Sequence, residues 1–150
     1  DIIIVNSKEF KKKFKKKFDL DTICIYNPLD KNRIIQKSRI KSSLKFDKKK
    51  FHIINVGRFT DQKDQITLLK AVKNIDNIYL IIIGYGEKKI ELQNYIRTHN
   101  LQKRVIILDN ITNPYPYFKI AKLFILSSLY EGFPNVLTEA IMFNLPVISS

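Results

Sequence analysis

From residue 51 onward the chain repeats one device: a short, unbroken apolar run followed by a polar stretch with helical spacing. The runs are FHIINV (51–56), IYLIII (78–83), VIIL (105–108), LFILSS (123–128) and PVISS (146–150). None alternates apolar with polar, so each predicts a strand covered on both faces, as in a parallel sheet. Between them Leu68, Ala71, Val72 and Ile75 recur at helical spacing, and so do Leu92, Tyr95, Ile96 and His99. Strand–helix alternation of this kind predicts an α/β fold, a Rossmann-like parallel sheet with flanking helices. Ligands of such sheets sit beyond the carboxyl ends of the strands, so the loops after each strand are where function is sought.

The first fifty residues have another texture. They hold 16 Lys and Arg against 6 Asp and Glu, which is +10 of the chain's net +13. IIIVNS reads as a buried strand, and SKEFKKKFKKKF as a helix with Ser7 as its N-cap. Phe10, Phe14 and Phe18 make one face of that helix aromatic and leave the rest to lysine. Two readings stay open: a surface helix docking its Phe stripe on a core, or a basic amphipathic helix meeting anionic lipid or nucleic acid. TICIYNPLD gives a short strand ending in a turn at Asn27-Pro28. Residues 30–50 are polar, lysine-rich and without sustained apolar period, and they read as a mobile connection.

Because the charge is concentrated at one end, it does not mark residues 51–150 as a nucleic-acid binder. The single cysteine, Cys24, excludes an internal disulfide framework and fits a reducing compartment. No apolar run approaches the roughly 18–20 residues of a membrane span, and DIIIVN followed at once by lysines is not a secretory leader. The expectation is a cytoplasmic protein.

Four loops follow the strands. In VGRFTDQKDQ, Gly57 permits a tight turn, and Arg58 and Lys63 flank the way into the next helix. Two cations there suit a phosphate, and they equally suit solvated surface charge. GYGEKK lacks the third glycine of a dinucleotide fingerprint, because position 89 is lysine, and a plain tight turn is the favoured reading. In DNITNPYPYFK the tyrosines are expected to pack rather than to line a pocket. The fourth loop, YEGFPN, runs into a helix with Pro134 as its first residue. That sets Glu131 in the turn and Glu139 about one turn inside the helix, around a helix start whose free N–H groups carry partial positive charge. A diphosphate at that start, with two carboxylates accepting from neighbouring hydroxyls, matches a nucleotide-sugar. The alternative is Glu139 as a helix-start charge and Glu131 as a loop salt bridge. His52 in a strand and His99 on an apolar helix face are expected to be structural, and one cysteine with two isolated histidines implies no metal site.

SSLYEGFPNVLTEA (127–140), followed by PVISS, resembles the E-x7-E signature of family 4 glycosyltransferases of the group 1 type. VGRF with Lys63 resembles that family's diphosphate loop, and GYGEKKIELQNYI and NPYPYFKIAKLFILSS follow in its usual order. The resemblance is strongest over residues 51–150. It implies a GT-B fold cut short. Residues 1–28 would end an N-terminal acceptor domain, 29–50 would link the domains, and 51–150 would form a truncated nucleotide-sugar-binding domain. It also implies transfer of a hexose-type sugar from a UDP- or GDP-sugar to a glycan or lipid-linked acceptor, with retention and with no metal or other cofactor. Arg58, Lys63 and Glu131 would be the catalytic residues: Arg58 and Lys63 would hold the diphosphate and stabilise it as leaving group, Glu131 would hold the transferred sugar, and Glu139 would hold the ribose. Gly57 and the segment Gly132, Phe133, Asn135, Val136 and Leu137 would border sugar and phosphates, and Asn110 and Ile111 the base. Asn110 stands where the family often has glycine, and Lys122 where it usually has aspartate. Alone, this stretch is expected to lack the acceptor site and not to turn over. A lipid-linked acceptor would fit peripheral contact of the basic helix with the inner face of a membrane.

Overall fold

The computed structural model describes residues 2–42, 47 and 49–150. All five apolar runs are strands: β3 (Phe51–Val56), β4 (Ile78–Gly84), β5 (Val105–Asp109), β6 (Leu123–Leu126) and β7 (Val147–Ser149). They form one parallel sheet in the order β5-β4-β3-β6-β7. The chain first winds outward from β3 through β4 to β5. It then returns to the other side of β3 with β6 and β7, so the direction of winding reverses between β3 and β6. A crevice for ligands opens at the carboxyl ends of the strands on either side of such a reversal.

Both faces of the sheet are covered, which is why the runs are continuous rather than alternating. On one face Leu68, Leu69 and Val72 of α3 (Gln65–Lys73) and Leu92 and Ile96 of α4 (Lys89–Thr98) pack on Ile53, Leu80 and Ile82. On the other, Tyr117 and Phe118 of α5 (Tyr115–Phe118) and Ala140 of α6 (Asn135–Met142) pack on Ile54, Ile81, Phe124 and Leu126. Successive residues of one strand thus serve opposite layers, and burying each large side chain contributes about 1.5–3 kcal/mol.

The backbone pairing of β3 with β6 is short, covering Ile53↔Leu123 and Ile54↔Phe124. Next in line, buried Asn55 donates its side-chain N–H to the Ile125 carbonyl at 2.8 Å. A side chain thus holds the two strands together just below the crevice. Gly84 and Gly86 serve the neighbouring turn. A Cβ on Gly84 would overlap the Gly57 carbonyl oxygen, and Gly86 has φ of 145° with the Phe59 backbone beside it. The GxG sequence therefore lets two loops of the chain meet closely, in keeping with the tight turn expected from the sequence.

Four expectations need correction. The buried face of α3 is Gln65, Leu68, Leu69 and Val72, while Ala71 is exposed and Ile75 lies past the helix end and is exposed. Pro134 is the N-cap of α6 rather than its first residue. The polar connection is not structureless: α2 (Lys31–Ser38) starts on Asp30, which accepts from the Arg33 N–H at 3.0 Å, and buries Ile34. One apolar contact per two turns is too sparse to register as a period. Residues 43–46 and 48 of that connection lie outside the described residues. Finally, α1 (Lys8–Phe18), capped by Ser7 as expected, buries none of its residues, and Phe10 and Phe18 are 39% and 54% exposed. Its neighbours β1 (Ile4–Val5) and β2 (Ile23–Cys24) make a separate parallel pair of two residues each. That pair offers no core broad enough to take the Phe stripe.

Candidate functional site at the sheet reversal

The loops after β3 and β6 are fastened to each other along their length. The Leu129 N–H donates to the Gln62 carbonyl at 2.8 Å, Gln62 Nε2 to the Tyr130 carbonyl at 2.9 Å, and Ser127 Oγ to the Lys63 carbonyl at 2.8 Å. A 3-10 turn (Asp61–Lys63) carries Lys63 over Gly57, with the lysine stem lying directly against it. The result is an ion pair between Lys63 Nζ and Glu131 Oε1 across the reversal. Ser128 Oγ donates to the same carboxylate oxygen at 2.6 Å. The two charged side chains are 14% and 20% exposed, so water screens the pair only partly. Among the described residues Glu131 Oε2 has no partner. Glu131 is thus salt-bridged in its loop, as one reading of the sequence expects, and its partner is another predicted site residue, Lys63.

Arg58 stands differently. Its carbonyl is held by Gln65 Nε2 at 2.9 Å, while its exposed guanidinium has no partner among the described residues. It is an exposed cation at the carboxyl end of β3.

Glu139 forms a second cluster one turn into α6. The Tyr115 hydroxyl donates to its Oε1 at 3.1 Å. Burial raises the Glu139 carboxyl above the ordinary range, and the tyrosine hydrogen bond opposes that only in part. Burial, then the nearby carboxylate, pushes the Tyr115 phenol up to about 12, so it stays protonated and donates. The two residues line a cleft of about 260 Å³ together with Arg33 and Lys37 of α2 and Asn135.

Between the clusters lies the start of α6. The N–H groups of Gly132, Phe133, Asn135 and Val136 have no partner among the described residues, whereas that of Leu137 donates to the Pro134 carbonyl at 3.0 Å. Val136 and Leu137 turn their side chains to the core. Residues from the first thirty cover this turn: Tyr26 packs on Phe133 at 5.0 Å between ring centroids, Asn27 Nδ2 donates to Asn135 Oδ1 at 2.8 Å, and Phe10 lies against Gly132.

At the end of β5, Asn110 adopts φ of 54° and its N–H donates to the Gly84 carbonyl at 3.2 Å. Asparagine tolerates that left-handed conformation, which accounts for its standing in for glycine. Ile111 packs on the core beside it, and Lys89 pairs with Asp109. Both histidines have structural surroundings: His52 Nε2 lies 2.9 Å from the Asp47 carbonyl, and His99 stacks on Tyr95.

Three participants were not foreseen. Ser128 sits in the expected loop but carries no sequence mark of its own. Tyr115 was expected only to pack, and Arg33 belonged to a stretch read as a connection. Tyr115 and Arg33 have no local signal because the residues they meet lie far along the chain, while Ser128 reaches Glu131 only three residues on through a turn that its residue type does not announce.

Known proteins resemble this chain in sequence and in fold. The family described as "Glycosyl transferases group 1" matches residues 36–150. An uncharacterized glycosyltransferase of Methanocaldococcus jannaschii is 38% identical over the whole of this chain, which covers 39% of that protein. The N-acetylgalactosamine-N,N'-diacetylbacillosaminyl-diphospho-undecaprenol 4-alpha-N-acetylgalactosaminyltransferase of Campylobacter jejuni is 32% identical over 99% of the chain and 40% of its own length. The chain thus spans about 40% of the length of these curated relatives. Among solved structures, a sucrose-phosphate synthase from Thermosynechococcus elongatus superposes with a TM-score of 0.85 at 21% identity, over 99% of this chain and 40% of that one. Anabaena HepE in complex with UDP-glucose gives 0.78 at 22% identity, over 99% and 44%. These likenesses establish the fold as the Rossmann-like part of a GT-B arrangement. With the family match extending over most of its length, this chain belongs to the group 1 glycosyl transferases.

Proposed function

We propose that the chain supplies the donor site of a retaining, family 4 glycosyltransferase. The enzyme would move a hexose-type sugar from a UDP- or GDP-sugar to a glycan or lipid-linked acceptor, as in polysaccharide biosynthesis. In this reading residues 1–28 close an acceptor domain, 29–50 link the domains, and 51–150 hold the donor. The observation that carries it is the pairing of Lys63 with Glu131 beside a helix start that has free N–H groups, with Glu139 at the far end. Relatives add support: one is named as acting with a diphospho-undecaprenol-linked substrate, and one neighbour is solved with UDP-glucose.

The roles follow from charge and reach. The exposed Arg58 guanidinium and the α6 N–H groups meet the diphosphate. Lys63 shares its charge between Glu131 and a phosphate oxygen, stabilising the nucleoside diphosphate as it leaves. Glu131 Oε2 accepts from hydroxyls of the transferred sugar, and Glu139 from those of the ribose. Asn110 and Ile111 border the base, and Gly57 borders the phosphates beside the Lys63 stem. With its Oε1 already accepting from Lys63 and Ser128, Glu131 is poorly placed as a general base, which favours a role in binding.

Titration of the intact protein with UDP, GDP and their sugars tests this, with Glu139→Ala as control. Absence of binding at about millimolar concentration contradicts the donor-site reading. Anomeric analysis of the transfer product decides retention.

A second role is favoured by α1, whose lysines are all exposed beside half-exposed Phe18: peripheral contact with anionic lipid at the inner face of a membrane. Flotation with phosphatidylserine vesicles, lost on neutralising Lys11, Lys12 and Lys16, is the expected result. Equal flotation with neutral vesicles contradicts it. Nucleic acid is not favoured as a partner.

A further inference from the structure

We propose that Tyr115 is a positioning residue for the donor, whose hydroxyl fixes the rotation of the Glu139 carboxylate and so sets the preference for a ribose over a 2′-deoxyribose. The inference rests on the reading of Glu139 as the ribose acceptor. Tyr115 opens α5, and its ring is held between Phe118 and Phe143, with centroids at 6.3 and 6.2 Å. The hydroxyl therefore cannot swing freely. It gives its single proton to Glu139 Oε1, and Oε2 has no partner among the described residues. Glu139 is attached to the backbone through rotatable bonds, and among the described residues no other side chain makes a hydrogen bond or ion pair with its carboxylate. One oxygen is thus anchored while the other stays available in the cleft that both residues line.

Such an arrangement suits vicinal hydroxyls. A sugar with both 2′- and 3′-hydroxyls offers two donors at fixed separation, and a carboxylate held in one orientation accepts both without first being ordered. Freed from the tyrosine, the same carboxylate must be ordered at each binding event, and the gain from the second hydroxyl shrinks. The diphosphate and base contacts lie elsewhere and are not affected. Tyr115 therefore acts on the affinity for the ribonucleotide more than on that for its 2′-deoxy counterpart.

The test uses Tyr115→Phe, which keeps the ring contacts and removes only the hydroxyl. Dissociation constants of the intact protein are measured for UDP and 2′-deoxy-UDP, and for GDP and 2′-deoxy-GDP, with the wild type and the variant. A hydrogen bond to a charged acceptor predicts a wild-type preference for the ribonucleotide of about tenfold or more. In the variant that ratio is expected to fall to about threefold or less, with the deoxy compound binding much as before. A merely structural loss would weaken both nucleotides alike and leave the ratio unchanged, and that result overturns the inference while leaving Glu139 as ribose acceptor. A wild type that binds both forms equally overturns the ribose reading itself, and with it the role of Tyr115. Binding of no diphosphate at all overturns the donor site. Glu139→Gln tests the ribose reading by itself, and Tyr115→Leu, which also removes the hydroxyl and is expected to lower the same ratio, keeps the test decisive if Tyr115→Phe proves unstable.

Discussion

Glu139 answers two demands that pull apart: burial favours its neutral form, while holding hydroxyls needs the anion. Its folded-state pKa lies above that of the unfolded chain, so between the two values the native state binds more protons and stability falls as pH rises. Glu139→Gln removes that loss. The variant is expected to melt a few degrees higher than wild type near pH 8, and to show no advantage near pH 4. Nucleotide titration of the same sample is expected to show weakened binding, so the site is destabilising where it is useful. Lys63 and Glu131 behave in the opposite sense, because each leaves the other partly buried and unpaired. Lys63→Met is expected to cost about 2 kcal/mol in denaturant unfolding, and a double-mutant cycle with Glu131→Gln to give a coupling of about 1–3 kcal/mol. Both glutamates were legible from their spacing around a loop-to-helix junction. That Glu131 would be paired with Lys63 was not, since 68 residues separate them and only the β3–β6 neighbourhood joins them. Tyr115 escaped for the same reason: its hydroxyl serves the site because α5 and α6 lie together, which no local pattern announces.

Single elements show where composition misleads. Residues 31–38 looked like solvated chain because lysine and arginine dominate them, yet Asp30 starts a helix and Ile34 holds it down. Asn113 Nδ2 ties it further to the donor side, donating to the Lys37 carbonyl at 3.0 Å. Ile34→Ala is expected to loosen the helix locally, costing about 2–4 kcal/mol of its protection. Hydrogen exchange at residues 31–38 would accelerate while β3 and β4 stay slow, and an unchanged pattern in α2 would refute that anchoring role. The place where the loops after β3 and β4 meet is less forgiving. A methyl at Gly84 would overlap the Gly57 carbonyl and come within 2.8 Å of the Phe59 ring. Gly84→Ala is therefore expected to cost about 3 kcal/mol or more by thermal melting, since backbone and a buried ring must both move. By contrast, the five strands were readable almost residue for residue, because a continuous apolar run has no other use in a sheet covered on both faces. Their order was not readable, as nothing in the runs says on which side of β3 the chain returns.

The whole molecule is uneven. One end is a five-stranded sheet with two buried layers, and the other is a two-stranded pair beside a helix with no buried residue. Amide exchange is expected to separate them by several orders of magnitude, with Ile4, Val5, Ile23 and Cys24 fast and Ile81 and Ile82 slow. Equal protection at both ends would contradict this picture. The weaker end nevertheless lies against the site. Phe10, Tyr26 and Asn27 touch Gly132, Phe133 and Asn135, the turn whose N–H groups are proposed to face the diphosphate. Anything that swings the first thirty residues away strips that turn of its outer support. By reciprocity, a donor that steadies the turn must resist the swing. Nucleotide affinity and the posture of the N-terminal segment are then two readings of one balance, and a hand laid on either will be felt at the other.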